Sequence, residues 1–309
     1  MPLHSLNGMN THYFCIAELP LCIQFEGASN NTISLLPSFS PFALSGEVDE
    51  KELLFKLTVN DNLKTRTDRS LLRHFDTGNG DTAVYLLPDG GYEFVIKNIH
   101  GAACCLLQAN KQFNHCQCAL NGTQAMRSFG LNDALMLIFA FAGSYHQTTL
   151  IHASCVEQQG VAYPFIAQSG TGKSTHTSLW MKTIPGTTLL NDDNPIIRIL
   201  ADGQPYIYGS PWSGKTPCYR NIKARLGAVT HIERAKENRM ERLPVVKAFA
   251  SLLPACSSMK WDTTIYHHLC DIVTRLIERV PIYTIYCLPN DEAALLCHHT
   301  LNQKQQSYK

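Results

Sequence analysis

The stretch Ala167-Gln168-Ser169-Gly170-Thr171-Gly172-Lys173-Ser174 constrains this chain more than any other. Before it, Val161-Ala162-Tyr163-Pro164-Phe165-Ile166 is short and apolar and reads as a buried strand. After it, Thr175 to Lys182 reads as a helix anchored by Leu179 and Trp180. Strand, glycine-rich loop and helix together form the setting of a phosphate-binding loop. Gly170 and Gly172 admit backbone angles barred to other residues, which lets main-chain N–H groups curl around a phosphate. The helix N-terminus adds its partial positive charge on the same side. Lys173 is then the ammonium for the outer phosphates and Ser174 the hydroxyl for Mg²⁺. The pattern G-x-x-x-x-G-K-[ST] asks for glycine where Ala167 stands, and alanine serves there if the position needs no positive φ.

A chain of 309 residues is long enough for two domains, each with its own core. Its net charge of +1 offers no bulk attraction to nucleic acid or to an acidic membrane surface, so neither is expected as a partner. The longest apolar run, Ala134 to Gly143, is shorter than a bilayer span. No lysine or arginine precedes Lys51, so the charged start of a secretory signal is missing. A cytoplasmic location follows as the expectation, with the twelve cysteines as reduced thiols. Cys116-x-Cys118 beside His115 lacks the four paired ligands of a zinc site and reads as simple thiols.

The pattern predicts an α+β chain. Residues 1–130 form a β-rich recognition domain, with strands at His12–Ala17, Leu21–Phe25, Leu53–Val59, Val84–Leu87, Tyr92–Ile96 and Cys104–Leu107. Turn signals at Thr77-Gly78-Asn79-Gly80-Asp81 and Pro88-Asp89-Gly90-Gly91 separate them. A linking helix occupies 131–148, capped by Asn132 or Asp133 and apolar nearly all round from Ala134 to Tyr145. A phosphate-loop domain of mixed sheet and flanking helices covers 149–301, and 302–309 is a polar tail. Asp262 opens a helix with Ile265, Leu269, Ile272, Val273 and Leu276 on one face.

Within the second domain, Asp192 and Asp193 end a strand about twenty residues after Lys173, where a Mg²⁺-anchoring carboxylate belongs. On a strand their side chains diverge, so one can hold metal while the other faces an incoming hydroxyl as base. His152 lies one strand before the loop and either orients that base or fills the core. Lys215, in Ser210-Pro211-Trp212-Ser213-Gly214-Lys215, and Arg220 are candidate contacts for substrate or transition-state charge, or else part of a solvated basic face. Trp212 either stacks on adenine or plugs the core. The doublets His267-His268 and His298-His299 point to different faces and do not chelate.

The order His152-Ala153-Ser154, then Ser169 to Ser174, then Asp192-Asp193 resembles the catalytic domain of HPr kinase/phosphorylase. That domain shares its nucleotide site with phosphoenolpyruvate carboxykinase. The likeness covers about residues 149–301. It implies an ATP–Mg²⁺ phosphotransferase in which Ser169, Gly170, Thr171, Gly172, Lys173, Ser174 and Thr175 bind nucleotide. It further implies Asp192 as general base, Asp193 and Ser174 as metal ligands, and His152 beside the active site. The family's glycine- and arginine-containing phosphorylase signature is not found; residues 209–225 carry a different arrangement. The implied acceptor is therefore a serine-like hydroxyl on a peptide, a protein or a small molecule. The rival readings are a nucleotide-gated binding module without turnover and carboxykinase-like chemistry. A homo-oligomer is left open.

Overall fold

The computed structural model describes residues 9–27, 30–76 and 80–303. Residues 77–79 of the first expected turn, and the expected tail beyond residue 303, lie outside them. The chain divides into two compact units, Met1–Ala142 and Gly143–Lys309. Both are built on large mixed sheets with few helices.

The first unit carries β1 (Met9–Ile16), β2 (Leu19–Glu26), β3 (Phe55–Val59), β4 (Ser70–Asp76), β5 (Asp81–Leu86), β6 (Tyr92–Lys97), β7 (Ala103–Ala109) and β8 (His115–Leu120). They form one sheet in the order β1-β2-β3-β8-β7-β6-β5-β4. The β4 to β8 run is the antiparallel meander that closely spaced turns impose, whereas β3 pairs parallel with both β2 and β8. Cys116 and Cys118 are buried on one face of β8, while His115, one residue out of phase, is exposed. All twelve cysteines are free thiols.

Helix α1 runs Gln124–Ser144 and so begins ten residues before the apolar stretch that marks it in the sequence. Residues 124–142 belong to the first unit. Phe141 meets Phe94 and Phe113 at ring-centroid distances of 6.4 and 5.1 Å. Near its start, Arg127 donates to Asp61 at 2.8 Å and to Asn31 at 2.7 Å. At its full length α1 is long and apolar enough to cross a membrane, which corrects the expectation drawn from the shorter run. Half of its most apolar window is nevertheless buried in the protein, as in the core helix of a sheet domain.

The second unit is a three-layer sandwich. Its sheet holds β9 (Thr148–Leu150), β10 (Ala153–Gln158), β11 (Val161–Ile166), β12 (Thr187–Asp193), β13 (Ile196–Ile199), β14 (Pro205–Tyr208), β15 (Lys223–Leu226), β16 (Val229–Arg234), β17 (Arg239–Arg242) and β18 (Ile282–Cys287). Its helices are α2 (Lys173–Thr183), α3 (Val245–Leu252), α4 (Thr263–Arg279) and α5 (Asp291–Gln303). The alternation along β11 shows how the layers are filled. Tyr163 and Phe165 face Trp180 of α2, Ile184 just beyond its end, and Ala293, Ala294 and Cys297 of α5. Ala162 and Ile166 face Ala248 and Leu252 of α3 and Leu269, Ile272, Val273 and Leu276 of α4. Burying each large apolar side chain there contributes roughly 1.5–3 kcal/mol. Asp262 caps α4, accepting from the Ile265 amide at 2.9 Å.

β11 is the pivot of this sheet. It pairs antiparallel with β10 on one side and parallel with β15 and then β16 on the other. β10 pairs in turn with β12. The C-terminal ends of β11, β16 and β12 therefore come out on the same edge of the sheet as the start of α2.

Candidate active site

β11 ends at Ile166, and the chain turns through residues 167–172 into α2, whose first residue is Lys173. Gly170 and Gly172 have φ of 76° and 126°, angles an L side chain resists. Ala167 is not among the positive-φ residues, so the departure from the glycine pattern costs the loop nothing. Lys173 folds its Nζ over the loop and donates to the Ala167 carbonyl at 3.2 Å. Burial lowers its pKa, and Asp193 and Asp192 pull in the opposite direction. The ammonium thus sits in a partly desolvated place with two carboxylates as neighbours.

The two aspartates occupy different surroundings. Asp192 is buried and pairs with Ser154 across β10. Its Oδ1 accepts from the Ser174 hydroxyl at 2.9 Å. This hydrogen bond joins the end of β12 to the first turn of α2, and it places a carboxylate and a hydroxyl together, the donor set a hard cation prefers. Asp193 is half exposed and its Oδ1 stands 3.3 Å from His152 Nε2. Its other oxygen accepts from Asn194 Nδ2 at 2.7 Å. Asp193 holds φ at 153°, a strained angle for a side-chain-bearing residue that costs on the order of 1–3 kcal/mol. Pairing with Ala153 and a bridge to Ser213 keep it there. His152, in the link between β9 and β10, is fixed by its amide bond to the Ala255 carbonyl at 2.7 Å.

A loop from Gly209 to Arg220 is fastened to the aspartates. Fully buried Asn191 donates to the Trp212 carbonyl at 3.0 Å and the Ser210 hydroxyl at 3.2 Å. The Gly214 amide donates to the Asp192 carbonyl. A Cβ on Gly214 would lie 2.8 Å from that oxygen and 3.3 Å from Asp193 Cβ, so the close approach requires glycine. Trp212 is buried and plugs the core. Lys215, next to Gly214 in the chain, is exposed. Arg220 lies elsewhere, with its guanidinium bound to Thr188 Oγ1 and the Leu189 carbonyl near the start of β12.

The structure brings one residue to the site that the sequence did not single out. Arg234, the last residue of β16, donates to the Gly170 carbonyl at 2.6 Å and the Thr171 carbonyl at 3.0 Å. Those bonds hold the outer side of the loop. Its signal was hidden within a basic stretch and emerges only from the parallel pairing of Ile166 with His231.

Two clefts flank the loop. One of about 810 Å³ is lined by His152, the loop from Ala167 to Thr171, His231, Arg234 and Ser251. The other, about 460 Å³, lies along α2 and is lined by Thr175, Leu179, Ile232, Leu288 and Pro289 among others. Both are within the size range of small-ligand sites.

No family model matches the sequence, and no curated protein matches it. Among solved structures, one that aligns is the Hpr(Ser) kinase/phosphatase from Coxiella burnetii. It is 10% identical with a TM-score of 0.30, covering 52% of this chain and 99% of that one. A likeness of that score carries no argument about this chain's fold or chemistry, which rest on the geometry above.

Proposed function

We propose that the second unit is an ATP- and Mg²⁺-dependent kinase that phosphorylates a hydroxyl group. The observation that carries this reading is the Ser174–Asp192 hydrogen bond at the mouth of a loop with the backbone turns of a phosphate cradle. The residues fit the ligands. The loop offers main-chain amides and the Lys173 ammonium to phosphates, and Ser174 with Asp192 offers oxygen donors to Mg²⁺. The apolar cleft along α2 suits a nucleobase. When bound, ATP–Mg²⁺ supplies the phosphoryl group and neutralises the charge that builds up as it moves.

The geometry favours a division of labour opposite to the one the resemblance implies. Asp192 is buried and committed to Ser174, which suits it to the metal side. Asp193 is half exposed and paired with His152, itself a residue lining the larger cleft, which suits it to accept the proton of an incoming hydroxyl. His152 orients that carboxylate. Lys215 follows Gly214, whose amide is bonded to the Asp192 carbonyl, and as an exposed cation on that fastened loop it is the candidate to meet an acceptor's charge. Arg220, bound near the start of β12, has a structural part.

The test is to incubate the protein with γ-labelled ATP and an extract of its host and to identify what acquires label. A labelled hydroxyl-bearing molecule, unlabelled with Lys173→Ala, is expected. ATP consumption that no extract accelerates would favour a nucleotide-gated module instead. Lys173→Ala removes charge-assisted hydrogen bonds worth ~1.5–3 kcal/mol each, a roughly ten- to hundredfold loss of ATP affinity.

A further inference from the structure

The larger cleft contains a hydroxyl–imidazole pair that the kinase reading leaves unused. Ser251, near the end of α3, has its Oγ 2.8 Å from His231 Nδ1. His231 lies on β16 opposite Ile166, the residue from which the phosphate loop departs, and three residues before Arg234, which grips that loop. Ser251 and His231 both line the cleft with Gln168, Ser169, Gly170 and Thr171. Three hydroxyl side chains border this cleft, those of Ser169, Thr171 and Ser251. Among the described residues, Ser251 is the one that meets an imidazole. Ser169 and Thr171 belong to the loop itself. Ser251 comes to the same cleft from α3.

From this arrangement we infer that Ser251 is a self-phosphorylation site, with His231 as its base. The inference rests on the kinase reading, since it needs ATP held by the loop. In the step, the Ser251 Oγ–P bond forms as the bond between Pγ and the β,γ-bridging oxygen breaks. ADP leaves with the electron pair, and the hydroxyl proton passes to His231 Nδ1. Burial lowers the pKa of His231, which keeps the ring neutral and able to take that proton. No other reactant is required. The pair is a nucleophile and base within hydrogen-bond reach, the arrangement by which a weak hydroxyl is activated.

The experiment uses the full chain with γ-labelled ATP and Mg²⁺, no acceptor, and phosphopeptide mapping by mass spectrometry. ATP binding is measured in parallel by calorimetry. The expected result is an acid-stable phosphoserine at Ser251. Ser251→Ala should lose the label while binding ATP within twofold of the parent. His231→Gln should slow labelling by a factor on the order of 10² with ATP affinity likewise kept. Label that persists in Ser251→Ala, label mapped only elsewhere, equal labelling in His231→Gln, or ATP binding without any label would each overturn the inference and leave the kinase reading standing. Absence of ATP binding by the parent would overturn both.

Discussion

At the scale of single residues, the two neighbouring aspartates are where the structure adds most to the sequence. Asp192-Asp193 was legible as a candidate pair because it ends a strand at a short interval from Lys173. Its division was not, because that depends on which side chain turns to Ser174 and which to His152. The bond from Ser174 and the contact with His152 settle the orientation. Two variants separate the roles. Asp193→Asn should keep Mg²⁺-dependent ATP binding and cut phosphoryl transfer by a factor on the order of 10²–10⁴. Asp192→Asn should instead weaken the Mg²⁺ dependence of ATP binding itself. Steady-state rates and calorimetry on both proteins distinguish this pattern from its reverse. Arg234 shows the opposite kind of legibility: nothing local marks it, and long-range strand pairing alone brings it to the loop.

At the scale of elements, the loop, its strand and its helix were readable because they are contiguous and each obeys a local rule. The Asp262 cap and the apolar face of α4 were readable for the same reason. The start of α1 was not, since Gly130 and polar neighbours interrupt the apolar pattern. A Cβ at Gly130 would lie 2.9 Å from Cys104 backbone atoms and Cys105 Cβ, so the glycine marks a close approach to β7 and no break. β4 was hidden because nearly every residue of it is exposed, leaving no alternation to see. β15 was hidden by its charges, although Lys223 and Arg225 face out while Ala224 and Leu226 face in. α2 also carries a pH dependence. His176, buried in its first turn beside Trp180 and Phe165, has its pKa lowered by burial to about 4. An unfolded histidine protonates below about 6.5, while the folded one resists until about 4. The unfolded state therefore binds more protons in that window, and stability falls as the pH drops through it, by up to about 3 kcal/mol. Denaturant titrations of the second unit at pH 7.5 and pH 5 should show the loss, and His176→Gln should flatten it.

At the scale of the whole molecule, the chain forms two compact units. The proposed nucleotide residues all lie in Gly143–Lys309, where the glycine-rich loop between strand and helix is the feature the sequence marks most clearly. The first unit is a sheet whose buried carboxylate Glu93 is satisfied by Arg69, Gln108 and the Arg66 amide. A polar group consumed by the fold in this way leaves no local motif for a reader of the sequence. Ligand linkage makes the division measurable. ATP–Mg²⁺ at a hundredfold above its dissociation constant stabilises its binding unit by about 2.7 kcal/mol. Scanning calorimetry should show the transition of the second unit rising with ATP–Mg²⁺ while that of the first stays in place.

Isothermal titration of ATP into the intact protein, with and without Mg²⁺, and into Lys173→Ala, tests the phosphate-loop site most directly. The expected result is one site per chain that needs Mg²⁺ for full affinity and weakens ten- to hundredfold when the ammonium is removed. Heat that is absent in the parent, or unchanged by losing either Mg²⁺ or Lys173, would contradict it.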